Sequence, residues 1–343
     1  LWHFSCADVF SCQMHLELPQ DTGELWMLHM RRGDFAVAWH LSDAVLRARG
    51  ALSCDHLPRH LQWIWDGRSL EQKRVLIRCY HGLGDTVQFI RYAPLVKAVA
   101  HEVTVLVQAE LVPLLGTVEG VDRLLPLETL EDALTYDVDV EIMELAHVFR
   151  STLETIPAKI PYIHSPKAAR PARDKLAVGI VWAGGNWDGR RSIPVSLLAP
   201  LAHLPEIELH IFQIGPALAE RRKWPAVLPQ WNDIVTEAAL IRALDLMISV
   251  DSLPAHLAGA LGVPVWTLLH KEADWRWMEQ REDSPWYPTM RLFRQQRAGD
   301  WDAVIAAVAA ELASVSAARG AERVVQAVEV PQSVHDLAGS SGA

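Results

Sequence analysis

The sequence lacks the basic charge and the cysteine spacing that mark two common classes of protein. Its 343 residues carry a formal net charge of −10. No basic surplus exists to neutralise phosphates, so we expect no nucleic-acid partner. The four cysteines, Cys6, Cys12, Cys54 and Cys79, do not show the paired short spacing of a zinc site. We expect them to be reduced thiols in a cytoplasmic protein.

Long apolar runs are also missing from the sequence. No uninterrupted run reaches the roughly 18 residues of a membrane span, so we expect no integral membrane segment. The opening residues, Leu1 to Phe4, include no Met and lack the basic-then-apolar order of a signal peptide. We therefore expect a fragment or an internal start. Hydrophobic residues make up 50% of the chain and charged residues 22%, an ordinary globular composition with length enough for two domains.

The first part of the chain, residues 1–70, does not alternate between strands and helices. Within it, the stretch from Glu24 to Arg49 predicts two short helices around Gly33-Asp34. This pattern resembles one degenerate tetratricopeptide-type hairpin. A single helix pair cannot bury its own apolar face, so we expect it to pack on the next domain or to end a longer array. Such helices are also a possible contact for a protein partner.

Strands and helices alternate in two series after this extension. The first series occupies residues 71–165 and the second residues 172–319, with a proline-rich linker from Ile156 to Pro171 between them. The tail, residues 330–343, is rich in Ser and Gly and is predicted to be disordered. Alternation of this kind predicts an α/β fold with parallel sheets. We expect two doubly wound, Rossmann-like domains that face a cleft at the carboxyl ends of their strands.

A glycine-rich turn joins the first strand to a helix predicted over Thr86–Ala100. Gly82 and Gly84 would let the backbone approach a ligand closely, and Asp85 stands at the helix start. Asp85 can be a helix cap, or a general base that takes a proton from an acceptor hydroxyl. The turn lacks the third glycine and the following acid of a dinucleotide-binding site, so binding of NAD is weakly supported.

A second junction of the same kind contains Asp251, Ser252 and His256. Asp251 or Ser252 can cap the helix, and Pro254 suits its first turn. His256 can be a packed helix residue. Alternatively, the three residues hold sugar hydroxyls and an anion at the helix start. Two junctions in two domains suggest a cleft with one reactive group on each wall.

The loop after the first strand of the second domain combines glycine with arginine. Gly184, Arg190 and Arg191 lie in it, and Arg binds phosphate with a planar fork. The alternative is a solvated loop with ordinary charges. Gln213, at the end of the next strand, is a candidate contact for a nucleotide base.

Two further patterns favour structure over chemistry. Asp137-Val138-Asp139 looks like the metal-binding acid pair of some sugar transferases, but its alternation is typical of a strand entry. The aromatic segment Asp274–Pro288 can stack on sugars or bases. With 14 tryptophans in the chain, packing is the safer interpretation for most of them.

Several motifs together resemble the heptosyltransferase group, glycosyltransferase family 9, and more closely the glycosyltransferase-like domains that follow tetratricopeptide repeats in bacterial proteins. The matching segments run in order over about residues 60–315: Gly82–Asp85 with Gln88–Tyr92, Val181–Gly184, Arg191–Pro194, Ser249–Ser252 with His256–Gly262, Asp274–Trp277 and Asp283–Pro288. The chain departs from true heptosyltransferases at Ser252–Ala255, where a Thr-Gly pair is more usual, and in lacking a clear counterpart of their phosphate-binding lysine.

The resemblance implies a GT-B fold in which the first domain binds the acceptor and the second a nucleotide-sugar donor. It implies an inverting transfer without a bound metal or other cofactor, with Asp85 as the base. Asp251, Ser252 and His256 would contact the donor, and Arg190 or Arg191 would steady its diphosphate. The acceptor would be a glycan, a lipid-linked molecule or a protein. The alternative function is a retired transferase that acts as a nucleotide-binding or protein-interaction module.

Overall fold

The computed structural model of the protein describes residues 21–50, 52, 54, 56–169, 175–185, 188–221 and 224–328. A pair of N-terminal helices is followed by two sheets, each built from parallel strands with helices between them. The prediction of two parallel-sheet α/β domains is confirmed. The tail predicted to be disordered, residues 330–343, lies outside the described residues.

The N-terminal helices are α1 (Thr22–Arg32) and α2 (Phe35–Arg49). Gly33 ends α1 with a φ of 80°, a left-handed conformation that glycine adopts without a steric penalty. This turn reverses the chain, so that the two helices pack against each other.

The helical hairpin contacts both domains that follow it. Trp39 donates a hydrogen bond from its indole N–H to the carbonyl of Ser151, at the end of the first domain. The ring of Trp26 lies 5.6 Å from that of Trp275 in the second domain. The hairpin therefore packs against both domains.

The first sheet has four parallel strands in the order β3-β2-β1-β4. Its strands are β1 (Arg74–Arg78), β2 (Glu102–Val107), β3 (Arg123–Pro126) and β4 (Val138–Glu141). Its helices are α3 (Leu83–Phe89), α4 (Ala93–Val99), α5 (Val112–Leu115) and α6 (Leu145–Val148). The strand order reverses between β1 and β4, which is where open α/β sheets form ligand crevices.

The single helix predicted over Thr86–Ala100 is wrong in detail. The structure has α3 and α4 here, separated by a 3₁₀ turn at Ile90–Tyr92. Pro94 lies in the first turn of α4 and has no N–H to continue the hydrogen bonding of α3. The apolar periodicity that suggested one helix continues across the break.

The second sheet has six parallel strands in the order β10-β9-β8-β5-β6-β7. Its strands are β5 (Leu176–Val181), β6 (Ile207–Ile211), β7 (Ala226–Val227), β8 (Leu246–Val250), β9 (Val265–Leu269) and β10 (Met290–Arg294). Its helices are α7 (Ala199–Ala202), α8 (Ile234–Arg242), α9 (Leu253–Ala260) and α10 (Trp301–Val328). Here the order reverses between β5 and β8, and the loops that follow these two strands contain Gly184, Arg190, Arg191 and Asp251, four of the residues predicted to bind the donor.

The long helix α10 packs on the second sheet and its helices. Its residues Trp301, Val304, Val308 and Leu312 are buried and recur three or four positions apart, as on one face of a helix. In the part of the chain that the structure describes, one segment, Trp301–Ala318, is long and apolar enough by composition to cross a membrane. Its buried face packs against the second domain.

Candidate active site between the two domains

The first strand-to-helix junction places Asp85 in the opening turn of α3. Strand β1 ends at Arg78, and Gly82 is the residue that precedes the helix. Oδ2 of Asp85 accepts a hydrogen bond from the N–H of Gly82 at 2.9 Å. The carboxylate thereby satisfies a backbone donor at the helix start, which is the capping role that the sequence allowed.

Arg276 of the second domain binds the other oxygen of Asp85. Its Nη2 donates to Oδ1 of Asp85 at 2.6 Å, and its Nη1 lies 3.1 Å from Oδ1 of Asp274. The side chains of Asp85 and Arg276 are only 15% and 6% exposed. Burial raises the pKa of Asp85, but the charge of Arg276, with smaller contributions from His81 and His256, holds it below its ordinary value. Asp85 is therefore an ionised carboxylate in an interdomain ion pair.

The two junctions face each other in direct contact. A Cβ added at Gly84 would lie 3.0 Å from Cδ2 of His256, so the missing side chain lets α3 approach α9 closely. Arg276 joins Asp85 to the second domain at the same place. At this point the cleft expected between the two domains is closed by the glycine contact and the buried ion pair.

At the second junction, His256 and Asp251 form a buried pair. Nε2 of His256 lies 3.6 Å from Oδ1 of Asp251, and its Nδ1 lies 3.0 Å from the hydroxyl of Tyr287. The ring of His256 stacks on Trp277, with 5.3 Å between centroids. Burial raises the pKa of Asp251, but nearby His256 and the charge of Arg276 bring it well below its ordinary value. His256 is a packed residue, and its contact with a donor stays a prediction.

Ser252 stands at the start of α9, as its capping residue type predicts. Its hydroxyl lies 2.8 Å from that of Ser249 at the end of β8, and Pro254 occupies the first turn of the helix. The helix start therefore adjoins the point where the strand order of the second sheet reverses.

Arg191 connects the loop after β5 to the loop after β8. Its Nη1 donates to the carbonyl of Asp251 at 2.9 Å, and its Nη2 to that of Gly185 at 3.2 Å. A Cβ at Gly184 would lie 3.2 Å from Cζ of Arg191, so the glycine makes room for the guanidinium. Burial lowers the pKa of Arg191 even though nearby carboxylates favour its charge. The structure thus places a buried cation where the strand order of the second sheet reverses.

The other two predicted donor contacts bind their own domain. Arg190 is half exposed and pairs with Asp188 and with Glu272, each at 2.9 Å. Oε1 of Gln213 accepts a hydrogen bond from the N–H of Ala183 at 2.8 Å, and its Nε2 donates to the carbonyl of the same residue. Gln213 therefore holds the loop after β5 in place.

Sequence reasoning missed two groups at this site. The first is Arg276, which lies in the aromatic segment that we interpreted as packing. A charged arginine between two tryptophans was the feature of the sequence that could have indicated a functional residue here. The second group is a pair: Nδ1 of His81 lies 2.8 Å from Oε1 of Glu141. His81 follows β1 and Glu141 is the last residue of β4, and the parallel pairing of these two strands brings the residues together. The reversal point of the first sheet therefore carries a histidine–carboxylate pair.

The suspected acid pair after β3 has a structural explanation. Asp137 pairs with Arg74 at 2.7 Å and Asp139 with Arg78 at 2.9 Å, so both carboxylates are matched by arginines of β1. Among the residues that the structure describes, no group of three or more His, Cys, Asp or Glu side chains could hold a metal ion. A metal-independent reaction stays a prediction.

Comparison with solved structures found glycosyltransferases among the chains similar to this one. The similar solved structures include ADP-heptose lipopolysaccharide heptosyltransferase II of Escherichia coli, with 14% identity, 71% of this chain and 98% of that chain covered, and a TM-score of 0.49. Another is a glycosyl transferase family 9 protein of Veillonella parvula, with 12% identity, coverage of 66% and 87%, and a TM-score of 0.48. These are likenesses of fold.

Among curated sequences, the chain is similar to protein FlbA of Caulobacter vibrioides. The two are 28% identical over 293 residues, which is 74% of this chain and 48% of FlbA. The chain therefore spans about half the length of this relative. No protein-family model matches the chain. A tetratricopeptide context stays a prediction.

Proposed function

We propose that the protein is a glycosyltransferase that moves a sugar from a nucleotide-sugar donor to an acceptor hydroxyl where the two domains meet. The observation that carries the proposal is the buried ion pair between Asp85 and Arg276, 2.6 Å long. It brings together a carboxylate able to take a proton and a cation able to bind a phosphate. Each belongs to a different domain, which suits a reaction whose two substrates bind to different domains.

The donor binds to the second domain in this proposal. Arg191 and the start of α9 at Ser252 lie at the reversal point of the sheet, with Arg276 nearby. A planar guanidinium suits a diphosphate, and a helix start offers N–H groups and a positive dipole end. Arg190, half exposed on the same loop, would contact the donor at the rim. Asp251 and His256 then contact the sugar or ribose hydroxyls.

Arg276 also controls the base. While Asp85 is paired with Arg276, the positive charge stabilises its ionised form, so Asp85 is a weak base. A donor diphosphate, which carries more negative charge than one carboxylate, competes for this guanidinium. When Arg276 turns to the diphosphate, the pKa of Asp85 rises toward the range in which it can accept a proton. Donor binding therefore precedes activation of the acceptor.

The chemical step is a single in-line displacement. The acceptor O–H bond breaks and its proton goes to Asp85, while the acceptor oxygen forms a bond to the anomeric carbon. The bond from that carbon to the diphosphate oxygen breaks, and the nucleoside diphosphate leaves with the electron pair. This geometry inverts the anomeric centre. Arginine charge, without a metal, stabilises the leaving group.

Nucleotide release from a panel of ADP-, UDP-, GDP- and dTDP-sugars tests the proposal. We expect release from at least one donor, and a roughly 10²–10⁴-fold lower turnover in Asp85→Asn, the usual range for loss of a general base. Asp137→Asn is the matched control, since it also removes an arginine-paired carboxylate, but one that pairs within the first sheet. Full turnover in Asp85→Asn would refute the assignment of the base.

A second candidate function is a nucleotide-binding or protein-interaction module that no longer catalyses transfer. The specific observation in its favour is that both oxygens of Asp85 have structural partners, the N–H of Gly82 and Arg276. Nucleotide binding without release across the whole donor panel would favour the module. In either case we propose a cytoplasmic protein whose helices α1 and α2 offer a surface to a protein partner.

A further inference from the structure

A cavity lies beside the proposed active site, between the N-terminal hairpin and the carboxyl edge of the first sheet. Its volume is about 210 Å³. Much of its wall is aromatic, with five tryptophans from three separate parts of the chain. They are Trp26, Trp39, Trp63, Trp65 and Trp275. Helices α1 and α2 thus help to roof the point where the strand order of the first sheet reverses.

Polar side chains also line the cavity. His81 and Glu141 both line it, and Nδ1 of His81 lies 2.8 Å from Oε1 of Glu141. Among the described residues, Nε2 of His81 has no hydrogen-bond partner. Burial alone lowers the pKa of His81, but the charge and hydrogen bond of Glu141 and the charge of Asp85 raise it above its ordinary value. The pair can therefore donate a hydrogen bond to an oxygen in the cavity.

Two lining residues have buried donors that the described part of the chain leaves without an acceptor. They are Nε1 of Trp275 and Nε of Arg49. Buried N–H groups are nearly always paired in folded proteins, and each exception calls for an explanation. A ligand oxygen would supply the missing acceptor. A hydroxyl suits the His81–Glu141 pair, because its oxygen can accept from the imidazole and its proton can be donated to the carboxylate.

We propose that this cavity binds a single aromatic ring that carries a hydroxyl group. The ring packs against the tryptophans, which favour edge-to-face and offset contacts with another ring. Size agrees, because an apolar cavity of about 150 Å³ already accommodates benzene. The hydroxyl lies at the His81–Glu141 pair.

Assigning this ring as the acceptor rests on the proposed function. His81 lies four residues before Asp85, in the loop ahead of α3, and the charges of the two residues influence each other. A hydroxyl held at His81 would therefore lie near the proposed base. The binding itself does not depend on transfer, so it is tested without a sugar donor.

Titration of the full chain with p-cresol, followed by calorimetry or ligand-observed NMR, tests the binding. We expect saturable binding of p-cresol. Toluene lacks the hydroxyl and should bind about tenfold more weakly, the factor expected for one good buried hydrogen bond. Cyclohexanol keeps the hydroxyl but lacks the aromatic ring, and should also bind more weakly. Equal binding of cyclohexanol and p-cresol would overturn the aromatic class.

A pair of substitutions on α2 locates the binding site. Val45 lines the cavity and is half-buried, so Val45→Phe fills part of it. Val37, on the same helix, is 42% exposed and does not contribute to the wall. We expect Val45→Phe to weaken p-cresol binding about tenfold or more, as for loss of a buried ring contact, and Val37→Phe to leave it unchanged. Leu41→Phe, at another lining position, replaces Val45→Phe if that variant does not fold.

The outcomes separate this inference from the function. No saturable binding of p-cresol, or equal binding by Val45→Phe and Val37→Phe, overturns the cavity assignment, even if nucleotide release is observed. Binding that is sensitive to Val45→Phe supports the assignment, even if every sugar donor is inert. In that second case the cavity belongs to an interaction module and not to an acceptor site.

Discussion

Replacing Asp85 with asparagine is the most direct test of the interdomain site, because the side chain keeps its shape and loses its charge. Removing one partner of a buried ion pair typically costs about 3–5 kcal/mol of the free energy of unfolding. Here Arg276 keeps Asp274 at 3.1 Å, and the amide oxygen can still accept from the N–H of Gly82. We therefore expect a smaller loss, about 2–3 kcal/mol.

The pH dependence of this loss has a definite sign. The pKa of Asp85 is lowered in the folded protein relative to the unfolded chain, where an aspartate has a pKa of about 3.9. Its contribution to stability is therefore present above about pH 4 and is lost as the pH falls through the folded-state value. The stability difference between wild type and Asp85→Asn should be largest near pH 7 and should shrink below about pH 4.

Urea denaturation at several pH values measures this difference. Asp274→Asn is the matched control, because it removes the other carboxylate that binds Arg276. Both variants should be destabilised near pH 7, but the large loss of turnover should occur only in Asp85→Asn. A stability difference for Asp85→Asn that stays constant from pH 7 down to pH 3 would refute the argument from the ion pair.

Two further variants test other parts of the fold. Burial raises the pKa of Glu237 in α8 to about 7, so its ionisation opposes folding as the pH rises above an ordinary carboxyl value. Glu237→Gln should therefore raise the urea midpoint at pH 8 by an amount corresponding to roughly 2–3 kcal/mol, and should have little effect at pH 4. Glu206→Gln, at an exposed position, is the control and should leave the midpoint unchanged at both pH values. A Cβ at Gly259 would lie 2.5 Å from Cδ1 of Tyr287, so Gly259→Ala should cost about 1–3 kcal/mol by thermal denaturation. Gly189→Ala, which meets nothing within 4 Å, is its control, and equal melting temperatures for the two would contradict the predicted clash.

Local patterns were sufficient to predict that strands and helices alternate. Runs such as Val103–Val107 and Leu246–Val250 are mostly apolar, because central parallel strands are buried on both faces. The edge strands β7 (Ala226–Val227) and β10 (Met290–Arg294) were not predicted, and the two residues of β7 leave no period to detect. The break between α3 and α4 was also missed, because apolar spacing continues through it while the hydrogen bonding does not.

The candidate site was predictable only in part. The glycine turn identified Asp85, since a strand, two glycines and an acid mark a helix start in sequence. Arg276 pairs with it across 191 positions of the chain, and no local pattern records a partner at that separation. The His81–Glu141 pair has the same origin, because it depends on β4 lying beside β1.

The sequence by itself determined the alternation of strands and helices, the two glycine-bearing junctions and the acids placed at them, because these depend on short-range sterics and periodicity. Tertiary structure decided that the junctions touch, that Arg276 holds Asp85, and that the N-terminal hairpin encloses an aromatic cavity. Ion pairs and cavities arise from residues far apart in the chain. Their geometry is set only when domain packing brings side chains within hydrogen-bond distance and excludes water from between them.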